Sequence, residues 1–188
     1  MLVNSMSSLS VAMVNPNSII VKMTSRAVNP VLVRLRKFHG MSRFSLLKYL
    51  GSSLSVARNF LAATSVQCND KGYALFGGGF AGASSVNDVD VFECNDDGIS
   101  FKERLELSVA RSALSATSVT APDGKQYALF GGGFENTGVT DTVDIFHCND
   151  NGVFYTKTAN FDRGPSRENL AATTVNCGGV DYGLFGGG

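Results

Sequence analysis

A run of glycines, Gly77–Gly82, is the first feature of this sequence that could do chemistry. It reads GGGFAG and fits the pattern G-x-G-x-x-G, in which glycines let a backbone approach a pyrophosphate at the start of a helix. The residues that follow, ASSVNDVDVF, predict a loop and a strand instead of a helix. The run therefore favours glycines that permit positive φ and close packing, and we predict no nucleotide or other cofactor.

Two oxygen-rich segments raise the question of a metal. NDDG at Asn95–Gly98 and NDNG at Asn149–Gly152 carry the side-chain oxygens that calcium prefers, but neither has the spacing of a calcium-binding loop. The same residues are common in tight hairpin turns, which is the interpretation we favour. His39 and His147 have no recognisable nucleophile or ligand partner. We predict no metal site and no catalytic residue.

The four cysteines, Cys68, Cys94, Cys148 and Cys177, form no C-x-x-C pair. In the strand assignment given below, Cys68 and Cys177 follow first strands of a unit, and Cys94 and Cys148 end third strands. First and third strands of one sheet are about 10 Å apart, beyond disulfide reach. We therefore expect free, mostly buried thiols and an intracellular protein, cytoplasmic or organellar.

An internal repeat organises these residues. YALFGGGF at Tyr73–Phe80 recurs at Tyr127–Phe134, and YGLFGGG begins at Tyr182. The flanking segments repeat with it: LSVARNFLAATSV at Leu54–Val66 matches LSVARSALSATSV at Leu107–Val119. A period of about 50 residues is typical of propeller-type repeats. The units cover residues 54–107, 108–164 and 165–188.

Each unit predicts four short strands, called a to d. In the second unit these are Ala113–Val119, Gln126–Phe130, Thr142–Cys148 and Val153–Thr158, with a turn at Pro122–Lys125. Strands a and b are apolar on both faces, which suits strands covered by neighbouring sheets. Strand c alternates more, and we expect it to be an outer strand half in water.

The repeating residues resemble the kelch repeat of β-propellers over about residues 54–188. They are an arginine before strand a, glycines after strand b, and aromatic residues in strands c and d: Arg58, Arg111, Arg167, Gly78, Gly79, Gly132, Gly133, Phe92, Phe146, Phe101 and Tyr155. Phe101 and Tyr155 replace the usual tryptophan. The resemblance implies an all-β fold, a partial kelch-type propeller of about two and a half four-stranded antiparallel blades. Because a ring needs about 4–8 blades, we expect a fragment of a longer chain, with copies that assemble as the alternative.

Residues 1–53 differ in character from the repeats. Residues 1–69 carry eight basic and no acidic residues, whereas residues 70–188 have a net charge of −8. The segment is interpreted as a transit peptide, a basic interaction arm or a translation start upstream of the domain; residues 30–50 could be helical. It contains no membrane span, and without a recognised binding fold its charge does not favour a nucleic-acid partner.

The resemblance implies a recognition surface where the d–a connections lie beside the b–c loops. The residues that we expect there are Arg58, Arg111, Arg167, Ser84, Ser85, Asn87, Glu135 and Asn136. The alternative for the arginines is a structural role, binding backbone carbonyls between blades. We predict a non-catalytic scaffold that binds a protein partner, with a glycan as a second kind of ligand. The other classes are a fragment of a sugar-acting propeller enzyme, an oxidase or epimerase, and a gene fragment without stable function.

Overall fold

The computed structural model describes residues 8–15, 18–24, 53–95, 98–162 and 165–188. Every regular element in these ranges is a β-strand, and all strand pairs are antiparallel. The predicted all-β class is therefore confirmed. The helix suggested for residues 30–50 lies outside the described residues. No helix in the described part of the chain is long and apolar enough to cross a membrane.

An N-terminal hairpin of β1 (Ser8–Asn15) and β2 (Ser18–Thr24) comes first. Its strands pair with each other in a sheet of two, with Asn15 opposite Ser18. Our reading of residues 1–53 as a non-repeat basic segment did not predict these strands.

The first unit forms a four-stranded sheet in which neighbours along the chain are neighbours in space. The order is β3-β4-β7-β8. A small hairpin, β5 and β6, lies in the connection between the second and third strands of this sheet. The strands are β3 (Ala62–Cys68), β4 (Lys71–Gly77), β5 (Phe80–Ala81), β6 (Ser84–Ser85), β7 (Asp88–Asn95) and β8 (Gly98–Glu106).

The second unit repeats this arrangement with the order β9-β10-β13-β14, and the third contributes the pair β15-β16. The four strands predicted in the second unit are confirmed within two residues at each end. The strands are β9 (Ser115–Thr120), β10 (Gln126–Gly131), β11 (Phe134–Glu135), β12 (Gly138–Val139), β13 (Thr142–Asn149), β14 (Gly152–Asn160), β15 (Leu170–Cys177) and β16 (Val180–Gly187).

The expectation for strand c is wrong. In the second sheet the c strand, β13, lies between β10 and β14, and four of its eight residues are buried. The outermost strand is β14, most of which is exposed. The polar residues that suggested a half-exposed strand include Asp144, which is fully buried and paired with an arginine.

The sheets pack face to face. Alternate residues of β4, such as Tyr73 and Leu75, meet Ala128, Phe130 and Phe146 of the second sheet in one buried cluster. The opposite face of the second sheet carries the third unit. The order of the stack is therefore first sheet, second sheet, third unit.

The prediction of four free, mostly buried thiols is also wrong. Cys68 and Cys148 form a disulfide with their Cα atoms 5.9 Å apart, and the free thiols of Cys94 and Cys177 are exposed. The argument that first and third strands are too far apart for a disulfide applies only to strands of the same sheet. Face-to-face packing instead brings strand a of one unit against strand c of the next, since β3 contacts β13. Disulfides are rare in reducing compartments, so the cysteines no longer support an intracellular location, which stays a prediction.

Candidate functional site

The glycine run after β4 gives each of its first three residues a separate neighbour. A Cβ on Gly77 would lie 2.7 Å from the ring of Phe130 in the second sheet. One on Gly78 would lie 2.6 Å from the carbonyl oxygen of Arg111, and one on Gly79 would lie 2.7 Å from that of Asn59. These distances are shorter than side chains tolerate, so the glycines are needed for close packing.

The second copy of the run, Gly131–Gly133, is packed in the same way. Its three glycines face the ring of Phe185, the carbonyl oxygen of Arg167 and the carbonyl oxygen of Ser112. In both copies the second and third glycines have positive φ. The run is followed by a short hairpin and not by a helix, so the geometry that a pyrophosphate requires is not present there.

The repeated arginines pair with aspartates that the sequence reasoning missed. Arg58 lies 2.9 Å from Asp90, and Arg111 lies 2.8 Å from Asp144, with both side chains of each pair fully buried. Each aspartate also accepts a hydrogen bond from a backbone N–H, from Ser55 at 3.0 Å and from Ser108 at 3.1 Å. The available signal was an aspartate at the same place in two apolar strands, DVDVF and TVDIF.

Other donors of the arginines bind backbone carbonyls of the same unit, although the buried Nε of Arg111 has no hydrogen-bond partner among the described residues. Arg58 donates to the carbonyl oxygens of Gly78 at 2.8 Å and Phe76 at 2.9 Å, and Arg111 donates to that of Phe130 at 3.1 Å. Arg167 is half-buried and donates to the carbonyl oxygen of Gly187 at 3.0 Å. The guanidinium groups of Arg58 and Arg111 thus hold the end of strand b and are turned away from solvent.

Backbone hydrogen bonds link the d–a connections and b–c loops into one continuous surface. Asn59 and Phe80 exchange two such bonds within the first unit, and Ser112 and Phe134 do the same in the second. Across units, the N–H of Gly79 donates to the carbonyl of Arg111 at 2.9 Å, as its equivalent in the next unit does to Arg167 at 2.8 Å. We call this surface the rim: residues 58–61, 78–87, 107–114, 132–141 and 165–169.

The rim presents large apolar side chains to solvent. Phe60, Phe80, Phe134 and Val139 are exposed, and the side chain of Phe60 is 62% accessible. Phe60 has φ 52°, an uncommon conformation for an aromatic residue. Its repeat equivalents, Ala113 and Asn169, also have positive φ, and backbone bonds of 2.8 Å join the three positions in series. The conformation therefore belongs to the architecture of the rim, and the aromatic ring is specific to the first unit.

The polar residues predicted for the rim lie on it with different degrees of exposure. Ser84 and Asn136 are exposed, whereas Ser85, Asn87 and Glu135 are half-buried. The hydroxyls of Ser85 and Ser112 are 3.2 Å apart, and the Asn87 carbonyl accepts a hydrogen bond from Leu107 at 2.8 Å. Some hydrogen-bonding groups of the b–c loops are therefore already paired within the chain. The sequence reasoning did not single out the exposed aromatic residues. Phe80 and Phe134 directly follow a glycine run, and Phe60 lies two residues after Arg58, so the neighbouring residues were treated as the motif.

The aromatic residues that recur in strands c and d form a row across each sheet. Phe92 lies edge-on to Phe101, with centroids 5.8 Å apart, and Phe146 lies edge-on to Tyr155 at 5.5 Å. Burial, and then the nearby carboxylate of Asp144, raises the pKa of Tyr155. These rings pack the outer half of the sheet and are remote in sequence from the rim loops.

A shallow cavity of about 400 Å³ lies beside the first sheet, toward the start of β4. Its lining includes Gln67, Gly72, Phe92, Cys94 and Gln126. Its lining contains no histidine or acid that could act as a general base. The cavity therefore offers space and a thiol but no nucleophile–base pair.

The other candidate chemical groups are held by local contacts. His147 shares a hydrogen bond of 2.9 Å with Thr156 and lies beside the rings of Tyr127 and Phe154. In the NDNG turn, Asn149 accepts a hydrogen bond from the N–H of Asn151 at 2.8 Å, as turn residues do. His39 lies outside the described residues. Among the described residues there is no group of three or more metal-binding side chains.

Comparison with known proteins gives no match: no protein-family model fits the chain, and no curated protein resembles it significantly.

Proposed function

We propose that this chain is a non-catalytic binding module that recognises a protein partner through the rim. The observation that carries the proposal is the set of exposed aromatic residues, Phe60, Phe80 and Phe134, on a backbone that is hydrogen-bonded across units. Exposed apolar patches bordered by polar groups are typical of protein interaction sites, and aromatic residues dominate the binding energy of such sites.

The many backbone contacts of the rim support this proposal. Buried ion pairs at Arg58 and Arg111 hold the rim from below, and glycines dock one unit to the next. A surface that is ordered before binding loses little conformational entropy when a partner binds. The resemblance to kelch-type propellers, in which this edge commonly binds partners, is consistent with the proposal; a partial propeller fold remains part of it.

A peptide-display selection on the purified chain tests the proposal. We expect selected peptides to bind the wild-type chain and to lose about 2 kcal/mol or more of binding free energy, roughly thirtyfold in Kd, in the variant Phe60→Ser. Phe154→Ser is a matched control, because Phe154 is also an exposed phenylalanine but lies on the outer strand β14.

Peptides that bind Phe60→Ser as tightly as the wild type would contradict the proposal. A glycan array run on the same variants separates the two kinds of ligand. Binding of a glycan that depends on Phe60, without any peptide that does, would replace the protein partner with a sugar ligand. The sugar-acting enzyme remains the alternative prediction, and no described residue favours it.

A further inference from the structure

Among the described residues, no element covers the two ends of the stack, and one end exposes apolar residues whose repeat equivalents are buried. Tyr182 and Leu184 of β16 are 51% and 50% exposed. Their repeat equivalents in the first sheet, Tyr73 and Leu75, are 1% and 0% exposed because the second sheet covers them. The outward face of the third unit therefore has the composition of a covered face.

The free cysteines lie at the positions that form a disulfide between the first two sheets. Cys177 ends β15 as Cys68 ends β3, and Cys94 has the same place in β7 as Cys148 in β13. The pairings agree, since Cys94 is opposite Ile99 as Cys148 is opposite Val153. Both free thiols are exposed. Each end of the stack thus carries one of the two cysteines that an equivalent inter-sheet disulfide would need.

We propose that the outward face of the third unit docks on the outward face of the first sheet of a second copy of this chain. In this arrangement Cys177 of one copy lies beside Cys94 of the other. The contact repeats an interface that the chain already makes twice, in which strand a of one unit packs against strands a and b of the next: β3 against β9 and β10, and β9 against β15 and β16.

The glycine at the end of β16 supports the same docking. The rings of Phe130 and Phe185 cover Gly77 and Gly131, but nothing lies within 4 Å of a Cβ on Gly186. The residue equivalent to those two phenylalanines in the first unit is Phe76, which is half-buried on the outward face of the first sheet. A second copy would seat Phe76 on Gly186.

The association is head-to-tail, so each copy keeps one open face after a contact forms. Such heterologous contacts give a closed ring or an open filament. A covalent bond between copies needs an oxidant. With glutathione disulfide, one cysteine thiolate attacks a glutathione sulfur and releases glutathione thiol, and the second cysteine thiolate then displaces the remaining glutathione. Two cysteine thiols are oxidised and one glutathione disulfide is reduced to two thiols.

The first test measures association without oxidation of the free thiols. We expect the mass from light scattering of the wild-type chain, at about 100 µM under mild reduction, to exceed that of a monomer. Leu184→Glu should be monomeric, because it places a charge in the docked face. Val139→Glu is the matched control: Val139 is exposed to 46% and lies on the rim, so this variant should associate like the wild type. A monomeric wild type, or association that survives Leu184→Glu, would overturn the proposal.

The second test uses cross-linking between copies. Cys94→Ser and Cys177→Ser chains are incubated in a glutathione redox buffer, separately and mixed, at about 10 µM each. Docking gives the two remaining thiols an effective concentration of about 1 mM, so, with a docking Kd of about 100 µM, the mixture should form the Cys94–Cys177 dimer about tenfold faster than either variant dimerises alone. Equal rates in the mixture and in the separate variants would refute the docking. Since Leu184→Glu leaves the rim intact, peptide binding by this variant separates a failure of the docking from a failure of the proposed function.

Discussion

Replacing Asp144 by asparagine removes one charge from a fully buried ion pair and changes little else. The carboxylate lies 2.8 Å from the guanidinium of Arg111, and both side chains have no exposed surface. It also accepts a hydrogen bond from the N–H of Ser108 at 3.1 Å. The amide keeps the volume and one acceptor oxygen, so the main loss is electrostatic. Arg111 then keeps its charge in the interior with only backbone carbonyls, chiefly that of Phe130, as partners.

The size of the effect follows from the burial. Leaving one member of a buried pair without its partner costs about 3–5 kcal/mol. With a urea dependence of about 2 kcal/mol per molar, the midpoint of unfolding should fall by about 1.5–2.5 M. The double variant Arg111→Met with Asp144→Leu removes both charges. It should be more stable than Asp144→Asn alone, although it leaves the Ser108 N–H and the Phe130 carbonyl without partners at about 1–3 kcal/mol each.

Urea unfolding followed by far-ultraviolet circular dichroism measures these changes, since the chain has no tryptophan. The exposed pair of Asp123 and Lys125 gives the control. Its N···O distance is 2.7 Å, shorter than that of the buried pair, but both side chains are more than half exposed. Exposed pairs contribute little because water and salt screen them, so Asp123→Asn should leave the midpoint unchanged.

The reasoning fails if Asp144→Asn lowers stability by less than about 1 kcal/mol, or by no more than Asp123→Asn does. Either result would mean that the distance between the charges, and not their burial, sets the contribution of these pairs. It would also remove the basis for treating the repeated arginine as the support of the rim.

Three further predictions use other contacts. Gly131→Ala should destabilise the chain by about 1–3 kcal/mol in urea unfolding, because the new Cβ would lie 2.8 Å from an aromatic ring. Gly186→Ala should leave the stability of the monomer unchanged and weaken only self-association, because its Cβ would meet no atom within 4 Å. Burial raises the pKa of Tyr73, and the charge of a neighbouring glutamate raises it further. The free energy of unfolding should therefore fall as the pH rises from about 10, the tyrosine pKa in the unfolded chain, through the higher pKa in the folded chain. In thermal scans at several pH values, Tyr73→Phe should lose less stability at alkaline pH than the wild type. The Cys68–Cys148 bond closes a loop of sequence separation 80, so its selective removal by serine substitution should lower the free energy of unfolding by about 4.5 kcal/mol at most; an unchanged urea midpoint would show that the bond does not constrain the unfolded chain.

The strands of the repeats could be predicted because their signals are local. In the second unit, a turn sequence separates each apolar run from the next, and the predicted Gln126–Phe130 differs by one residue from β10. The repeat then transfers the assignment from one unit to the others. Only pairing between sequence neighbours is needed, and every four-stranded sheet here follows that order.

Contacts between sheets could not be predicted in this way. The disulfide of Cys68 and Cys148 depends on which strand of one unit faces which strand of the next, and that information is not contained in the period. The partner of Arg111 was missed for a related reason. Asp144 was assigned to a half-exposed strand, so its place in an apolar run was not recognised as the sign of a buried charge that needs a partner.

The N-terminal hairpin was missed for a different reason: residues 1–53 were interpreted from their charge and composition, and their local strand and turn pattern was not considered. β1 and β2 are closed by Asn15 opposite Ser18, much as β7 and β8 are closed by Asn95 opposite Gly98. A search for this closing pattern in residues 1–53, instead of a comparison of whole units, would have found two strands.

The glycine runs show how a repeat can distinguish a binding motif from architecture. In two copies, the first glycine lies against an aromatic ring of the following unit, and the second lies against a backbone carbonyl of that unit. A phosphate loop would instead keep that space free for a ligand. In the third copy the spaces beside Gly186 and Gly187 are open, while Gly188 still faces a carbonyl of its own unit, Glu168. The open spaces are therefore those that another unit fills in the first two copies. A second copy of the chain has the matching ring at Phe76, which makes the third glycine run the most direct structural argument for head-to-tail docking.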